Sequence, residues 1–309
     1  MKVYTDLDLL PHFSNAVITT GSFDGVHTGH VLILQQLLKE AENKAGTAVV
    51  ITFYPHPKQV IHIKGKNAVQ ILNTPAEKYE LLQRNGIEHI AVVPFDNAFS
   101  ELSADDYIEQ FLLKRFDPAV IVVGYDHRFG NNRNGDFSFL KAAGAEFNFE
   151  VKEIPEHVMK NVTVSSTKIR EAMLAGDIKT AAGYLGYDYF FSGKVIEGNK
   201  LGRTIGYPTA NLQIDDEDKL IPGNGVYAID AELQGRLLKG MMNIGVRPTI
   251  DGTKRVIEVN LFDFDEDIYG QTMKVTLKQR LRSEVKFAGL DELKAQLAKD
   301  KEDALIFNF

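Results

Sequence analysis

Between Ala16 and Phe149, short β-branched runs alternate with stretches in which apolar residues recur every three or four positions. The runs Ala16–Thr20, Ala48–Phe53, Ile90–Val93 and Ala119–Val123 read as strands, and Val31, Leu34, Leu38 and Ala41 fall on one face of a helix. Thr74-Pro75-Ala76-Glu77 has the form of a capping box with proline at the first helical position, and Gly86 marks where that helix stops. Ser103-Ala104-Asp105-Asp106, followed by Tyr107, Ile108 and Phe111, opens another helix. Strand and helix in regular alternation predict βαβ units on a parallel sheet, a doubly wound Rossmann-like α/β domain.

Past Gly183 the pattern changes. Val226–Leu233, Leu237–Ile244, Arg255–Phe262 and Met273–Leu281 alternate apolar and polar positions between Gly, Pro and Asn turns, as in the antiparallel strands of a small β-barrel. Leu290–Leu297 closes the pattern with an amphipathic C-terminal helix. Ser166–Tyr187 reads as helical with breaks at Gly176 and Gly183, which places the domain boundary at 185 and defines domains 1–185 and 186–309.

Composition agrees with two ordinary domains. The chain has 309 residues, 44% of them hydrophobic and 25% charged, which disfavours collagen-like and disordered classes. Lys plus Arg number 35 against 42 Asp plus Glu, a net charge of −7, so there is no bulk attraction to nucleic acid or anionic lipid. With no cysteine, disulfides, thiolate catalysis and Cys-ligated metals are excluded. Met1–Leu10 lacks the order of a secretory signal and no apolar run is long enough to span a bilayer, so a soluble, cytoplasmic protein is expected.

The first predicted strand runs straight into Gly21-Ser22-Phe23-Asp24-Gly25-Val26-His27-Thr28-Gly29-His30, and a helix follows. Free amides and the positive dipole end at such a helix start suit a triphosphate, which Gly21, Phe23, Asp24 and Gly25 would border. His27 and His30 could hydrogen-bond charge developing on phosphorus. A pair of histidines satisfied within a tight turn is the bland alternative, and metal ligation by the two lacks an acidic partner at HExxH-like spacing. Val162 to Arg170 repeats the order of strand, hydroxyl-rich cap and helix. Ser165, Ser166 and Thr167 offer hydroxyls, while Lys168 and Arg170 bring cations to a helix start, where a bound anion would offset their conflict with the dipole. A capped helix with solvated Lys and Arg is again the alternative.

The later domain has no GxxxxGK[ST], so no Walker-type phosphate cradle. A glycine loop from Gly198 to Asn211 takes its place, with Gly202 and Arg203 near the phosphates and Thr209 and Asn211 at its end. Two residues apart on an extended backbone, these last two point the same way and offer hard oxygen donors suited to Mg²⁺. Strand-edge polar residues beside a turn would look the same. Glu258 lies between Ile257 and Val259, where alternation alone makes it an outward polar residue.

The segments GSFDGVHTGH and SSTKIR are similar to the nucleotidyltransferase half of the bifunctional riboflavin kinase/FAD synthetases of bacteria. Thr52–Pro57 and Val123–Gly130 are similar to further segments of that family. Gly225-Val226-Tyr227, Asn243–Thr249, Ile257–Phe264, Tyr269-Gly270 and Arg282–Phe287 resemble its riboflavin kinase module in order, so the likeness covers almost the whole chain. The resemblance implies an FMN adenylyltransferase in 1–185 and a riboflavin kinase in 186–309. Riboflavin and ATP would give FMN and ADP in the barrel, and FMN and ATP would give FAD and pyrophosphate in the α/β domain.

The same resemblance implies that Glu258 takes the proton from the ribityl 5′-hydroxyl and that His27, His30 and Arg170 stabilise the adenylyl-transfer transition state. It places Pro55, Pro57 and Asp126 by the flavin of one site, Asn243, Arg282 and Glu284 by that of the other, and Mg²⁺·ATP at Thr209 and Asn211. His127 stands where an aromatic residue is commoner, Lys168 where Arg is usual and Asn260 where His is common. Lysine keeps a charge at 168 but not the guanidinium fork. The expected partners are riboflavin, FMN and ATP, with no nucleic acid and no membrane, in a monomer or weak homo-oligomer.

Overall fold

A computed structural model describes residues 1–61, 69–154, 164–198, 202, 205–249 and 252–307. The chain divides into two compact units, Met1–Ser166 and Thr167–Phe309.

The first unit is a six-stranded parallel sheet. Its strands are β1 (Lys2–Tyr4), β2 (Ala16–Thr20), β3 (Ala48–Tyr54), β4 (His89–Pro94), β5 (Pro118–Gly124) and β6 (Glu150–Ile154), in the order β1-β4-β3-β2-β5-β6. All five residues of β2 are buried, as befits a central strand covered on both faces. The helices are α1 (Thr28–Asn43), α2 (Pro75–Arg84), α3, which runs through Ala104–Asp106, a π-helical turn Tyr107–Leu113 and Lys114–Phe116, and α4 (Phe137–Phe147). The capping box predicted at Thr74 is formed: the Thr74 hydroxyl accepts from the Glu77 amide at 3.4 Å, and Glu77 accepts from the Thr74 amide at 2.9 Å. Strand order reverses between β2 and β5, so the crevice beyond their carboxyl ends is the place where such sheets bind ligands. Gly21 to His30 leaves β2 at that point, and Tyr125 to Arg128 leaves β5.

The second unit begins with α5 (Ser166–Ala175, counted from its first described residue) and α6 (Ile178–Leu185). A closed antiparallel barrel follows: β7 (Phe190–Ile196), β8 (Ala210–Gln213), β9 (Gly225–Leu233), β10 (Arg236–Thr249), β11 (Gly252–Leu261) and β12 (Thr272–Arg282), in the order β10-β11-β8-β7-β12-β9. The C-terminal helix α7 (Leu290–Phe307) packs on β9, β10 and β12. It runs well beyond the predicted Leu297, because Asp300 and Ala304 continue its buried side.

The compact units part at 166/167, with α5 and α6 on the side of the barrel. Ile169, Met173, Ile178, Ala181 and Leu185 are buried, the Gly223 amide donates to the Met173 carbonyl at 2.9 Å, and α6 packs on β12. Gly183 does not break a helix: it lies inside α6 with open space where a Cβ would stand, and the helix ends at Gly186, whose φ of 81° is left-handed.

A fragment beginning at Gly186 discards those five buried apolar side chains, each worth about 1.5 to 3 kcal/mol for a large aliphatic residue. In urea unfolding followed by circular dichroism, the fragment 167–309 should be the more stable by several kcal/mol. Equal midpoints would show that α5 and α6 add nothing to the barrel.

Candidate active sites

The loop from β2 to α1 is tightly wound: Phe23, Gly25 and Val26 have φ of 46°, 89° and 34°. For β-branched Val26 this is a strained value that its surroundings must enforce. They do so by burial. Phe23 and Val26 are almost wholly enclosed, and the buried Asp24 carboxylate accepts from the Leu72 and Asn73 amides at 2.8 and 3.3 Å. Phe23 and Asp24, read from sequence as bordering a phosphate, therefore also hold the loop in place. The Ser166 hydroxyl adds a further tie, donating to the Asp24 carbonyl at 2.9 Å.

This winding brings the two histidines into contact. His27 caps α1 by accepting the His30 amide on Nδ1 at 3.3 Å, and the two rings stack at 3.7 Å and 12°. Because Nδ1 of His27 is an acceptor, the proton of its neutral ring sits on Nε2. Burial pulls the His27 imidazole down to about 4 despite the nearby Asp24 charge. Burial, with His27 and Lys78 nearby, holds His30 well below its ordinary value. Nδ1 of His30 is buried without a hydrogen-bond partner among the described residues. Both rings are thus neutral N–H donors at pH 7 rather than imidazolium ions.

Lys78, which the sequence did not single out, lies beneath the loop. Its ammonium donates to the Ser22 carbonyl at 3.2 Å, to Thr52 Oγ1 at 2.9 Å and to the Phe53 carbonyl at 3.4 Å, joining the loop to the end of β3. Burial pulls it down to about 8 against the opposing charge of Asp24. A cleft lined by Ser22, Asp24, Phe53, Tyr54, His56 and Lys78, among others, opens beside it. Pro55 and Pro57 flank His56 there, and His56 caps the short helical turn Pro57–Val60 by accepting the Lys58 amide at 3.1 Å. Asp126 is exposed beyond β5, whereas the His127 ring stacks on Phe129 and burial lowers its pKa to about 4.

Ser165 and Ser166 stand at the end of the first unit, while Thr167, Lys168 and Arg170 continue α5 in the second. The strand read at Val162 and Thr163 lies outside the described residues, as do Arg203 and its neighbours 199–201 and 204.

In the second unit a cavity of about 280 Å³ gathers Gly202, Thr209, Asn243, Glu258, Arg282 and Glu284 from the residues read as functional. The barrel register explains the meeting. Glu258 of β11 is directly opposite Asn243 of β10 on one side and Asn211 of β8 on the other, so the three form a row on one face. Ile257 and Val259 are buried on either side of Glu258 in the strand, and Glu258 points away from the barrel interior as alternation requires. That outer face borders the cavity, which Leu293 and Leu297 of α7 also line. Asn211 is buried within the row and packs so closely on Gly198 that any side chain at 198 would displace it.

The Glu258 carboxylate accepts from Arg247 Nη2 at 2.6 Å. Arg247 shares the parity of Asn243 along β10, a period-two signal that could have marked it, but its partner lies on another strand. Asn260 lines the same cavity and donates to the Pro208 carbonyl at 2.7 Å, steadying the residue before Thr209. The Glu284 carboxylate lies directly over Gly245, where a Cβ would collide with it, and accepts from Asn224 Nδ2 at 3.3 Å. Among the described residues no three His, Cys, Asp or Glu side chains come together as a metal site, so an ion here would rely on neutral oxygens and its ligand.

Comparisons with known proteins match both units. Residues 10–168 match the FAD synthetase family and residues 185–307 the riboflavin kinase family. A bifunctional riboflavin kinase/FMN adenylyltransferase of Haemophilus influenzae is 39% identical over 94% of this chain and 93% of its own. Its Bacillus subtilis counterpart is 36% identical over 94% and 92%. The crystal structure of a Streptococcus pneumoniae protein described as a macrolide-efflux protein has a TM-score of 0.88 at 33% identity, covering 100% of this chain and 99% of that one. Among the described residues no helix is long and apolar enough to cross a membrane.

The buried histidines carry a stability consequence. With folded pKa values below the unfolded 6.5, His27 and His30 bind protons first in the unfolded chain, so stability is lost as pH falls from about 6.5 toward 4, at roughly 1.4 kcal/mol per pH unit per histidine. Hydrogen exchange of β2 and α1 should show this slope between pH 6.5 and 5. His27→Asn keeps a capping side chain and should remove about one histidine's share. An unchanged slope would mean that His27 is not buried neutral.

Proposed function

Because the chain belongs to the family of bifunctional riboflavin kinase/FMN adenylyltransferases, we propose that the barrel phosphorylates riboflavin to FMN and the parallel-sheet unit adenylylates FMN to FAD. The observation that carries this division is the pair Asn243 and Glu258, opening on a single cavity with Thr209, Arg282 and Glu284, with Asn211 next to Glu258 in the barrel register. Both reactions transfer phosphorus, where positioning and charge neutralisation dominate.

In the barrel, Glu258 takes the proton of the ribityl 5′-hydroxyl as that oxygen attacks the γ-phosphorus of ATP and ADP departs. Arg247 holds the carboxylate until the hydroxyl arrives, and Asn243, Arg282 and Glu284 border the flavin. Thr209 and Asn211 offer neutral oxygens that fit Mg²⁺, whose remaining ligands are ordinarily phosphate and water; bound there, the ion would neutralise charge on the transferring group. Gly202 and Arg203 belong to the loop over the phosphates.

In the first unit the FMN phosphate attacks the α-phosphorus of ATP and pyrophosphate departs. An anionic nucleophile needs no strong base, which agrees with two histidines held neutral by burial: His27 and His30 donate N–H bonds to the developing charge. Gly21 and Gly25 give the backbone close approach, Phe23 and Asp24 shape the loop, and Pro55, Pro57 and Asp126 border the flavin. Ser165 and Ser166, with Thr167, Lys168 and Arg170 following along the same helix, complete the set that the resemblance assigns to the nucleotide. We place the functional boundary at 185/186 and the enzyme in the cytoplasm, as a monomer or weak homo-oligomer. Its net charge of −7 supports the absence of a nucleic-acid partner.

Chromatography of flavins after incubation with riboflavin, ATP and Mg²⁺ tests the assignment directly. Glu258→Gln keeps the shape and removes the basicity, so FMN formation should fall roughly 10² to 10⁴-fold while FAD formation from supplied FMN persists. A folded variant making FMN at the parent rate would reduce Glu258 to an outward strand residue. His30→Ala should have the converse effect, lowering FAD formation on the order of 10² to 10³-fold and sparing FMN formation. Equal loss of both products would contradict the division.

A further inference from the structure

At the edge of the barrel cavity, Arg282 is not free to choose its position. Its Nε donates to Asp300 Oδ1 at 2.8 Å, its Nη2 donates to Oδ2 at 2.7 Å, and its Nη1 donates to the Ser283 carbonyl at 3.0 Å. The fork-on-fork pair fixes the plane of the guanidinium as well as its place. Asp300 is only 1% exposed and does not line the cavity; Gln296, one turn earlier on α7, donates to its Oδ1 at 2.9 Å. Arg282 in turn lies over the Phe287 ring at 5.7 Å, and both line the cavity with Glu284. A buried carboxylate is costly unless fully paired, so this one holds its arginine to a single geometry.

We propose that Asp300 is a positioning residue of the riboflavin kinase, acting through Arg282 to set the flavin-binding wall of the cavity from the C-terminal helix. The inference rests on reading that cavity as the riboflavin site. It predicts a selective defect: a guanidinium released from Asp300 disturbs riboflavin binding, while the loop from Gly202 to Thr209 and the row at Glu258 keep their own contacts.

The test uses the full chain and the variants Asp300→Asn, Asp300→Glu, Arg282→Gln and Asp300→Asn/Arg282→Gln. KM for riboflavin, KM for ATP and kcat of FMN formation are measured, with FAD formation from supplied FMN as the control for an intact chain. Asp300→Asn should raise KM for riboflavin about tenfold, the equivalent of one charge-assisted hydrogen bond, and leave KM for ATP within twofold. Asp300→Glu keeps the buried charge but misplaces the fork, so it should shift KM for riboflavin in the same direction even where Asp300→Asn fails to fold. The double variant should match Arg282→Gln alone, since residues acting as a unit are not additive. If Arg282→Gln raises KM for riboflavin and the Asp300 variants lower only thermal stability, or if the effects add, Asp300 is a structural brace and the proposal falls. If Arg282→Gln leaves KM for riboflavin unchanged while the parent makes FMN, the flavin reading of Arg282 falls and takes the proposal with it.

Discussion

An alternating strand must send every second side chain out of its barrel, and in the second unit the outward side of β11 lines a cavity. Glu258 and Asn260 stand on that side because Val259 and its neighbours fill the interior. Left in water, the same carboxylate would be an ordinary surface group. Here it faces a cavity in which two arginines, two asparagines and a second carboxylate converge and to which α7 adds Leu293 and Leu297. On the proposed reading, the kinase site therefore includes a helix that supplies no group to the reaction itself. The placement of Asp300 on that helix follows the same logic.

The first unit solves a different problem with different means. A parallel sheet offers its ligand the loops beyond its carboxyl ends, so the groups there must be braced from below. Asp24, Ser166 and Lys78 each tie the loop to backbone or neighbouring side chains. The loop they brace carries a stacked, largely buried pair of neutral imidazoles at a helix start. The contrast with the barrel is chemical. A neutral hydroxyl must lose a proton to attack, and a carboxylate waits for it, whereas a phosphate already carries its charge and meets hydrogen-bond donors.

The large elements were legible in the sequence because their signals are local. The central strand Ala16–Thr20 is an unbroken run of alanine and β-branched residues, and the α2 cap is written in four adjacent residues. Of the elements that escaped notice, three have weak patterns of their own: β1 has three residues, β6 reads Glu150-Val151-Lys152 and looks like surface, and β8 has four residues beside a glycine loop, whereas β7, Phe190–Ile196, is a mostly buried run interrupted by Ser192-Gly193. The motif residues of the barrel were found, and the register brings them together. Arg247, Lys78 and Asp300 were not, since each acquires meaning only from a partner remote in sequence: Glu258, Thr52 and Arg282. Phe23 and Asp24 were noticed for their loop, but the burial of Phe23 and the hold of Asp24 on the Leu72 and Asn73 amides follow from a strained turn that leaves no sign in the residue names.

The contact between Glu284 and Gly245 has a consequence for how this chain can drift. Position 245 lies on a regular strand with ordinary neighbours, the sort of place where Ala, Ser or Thr would usually be interchangeable. Here the first carbon of any side chain would occupy the space of a carboxylate that belongs to a different strand end. A side chain at 245 would thus push the Glu284 carboxylate aside, so substitution at 245 reports on the geometry of 284.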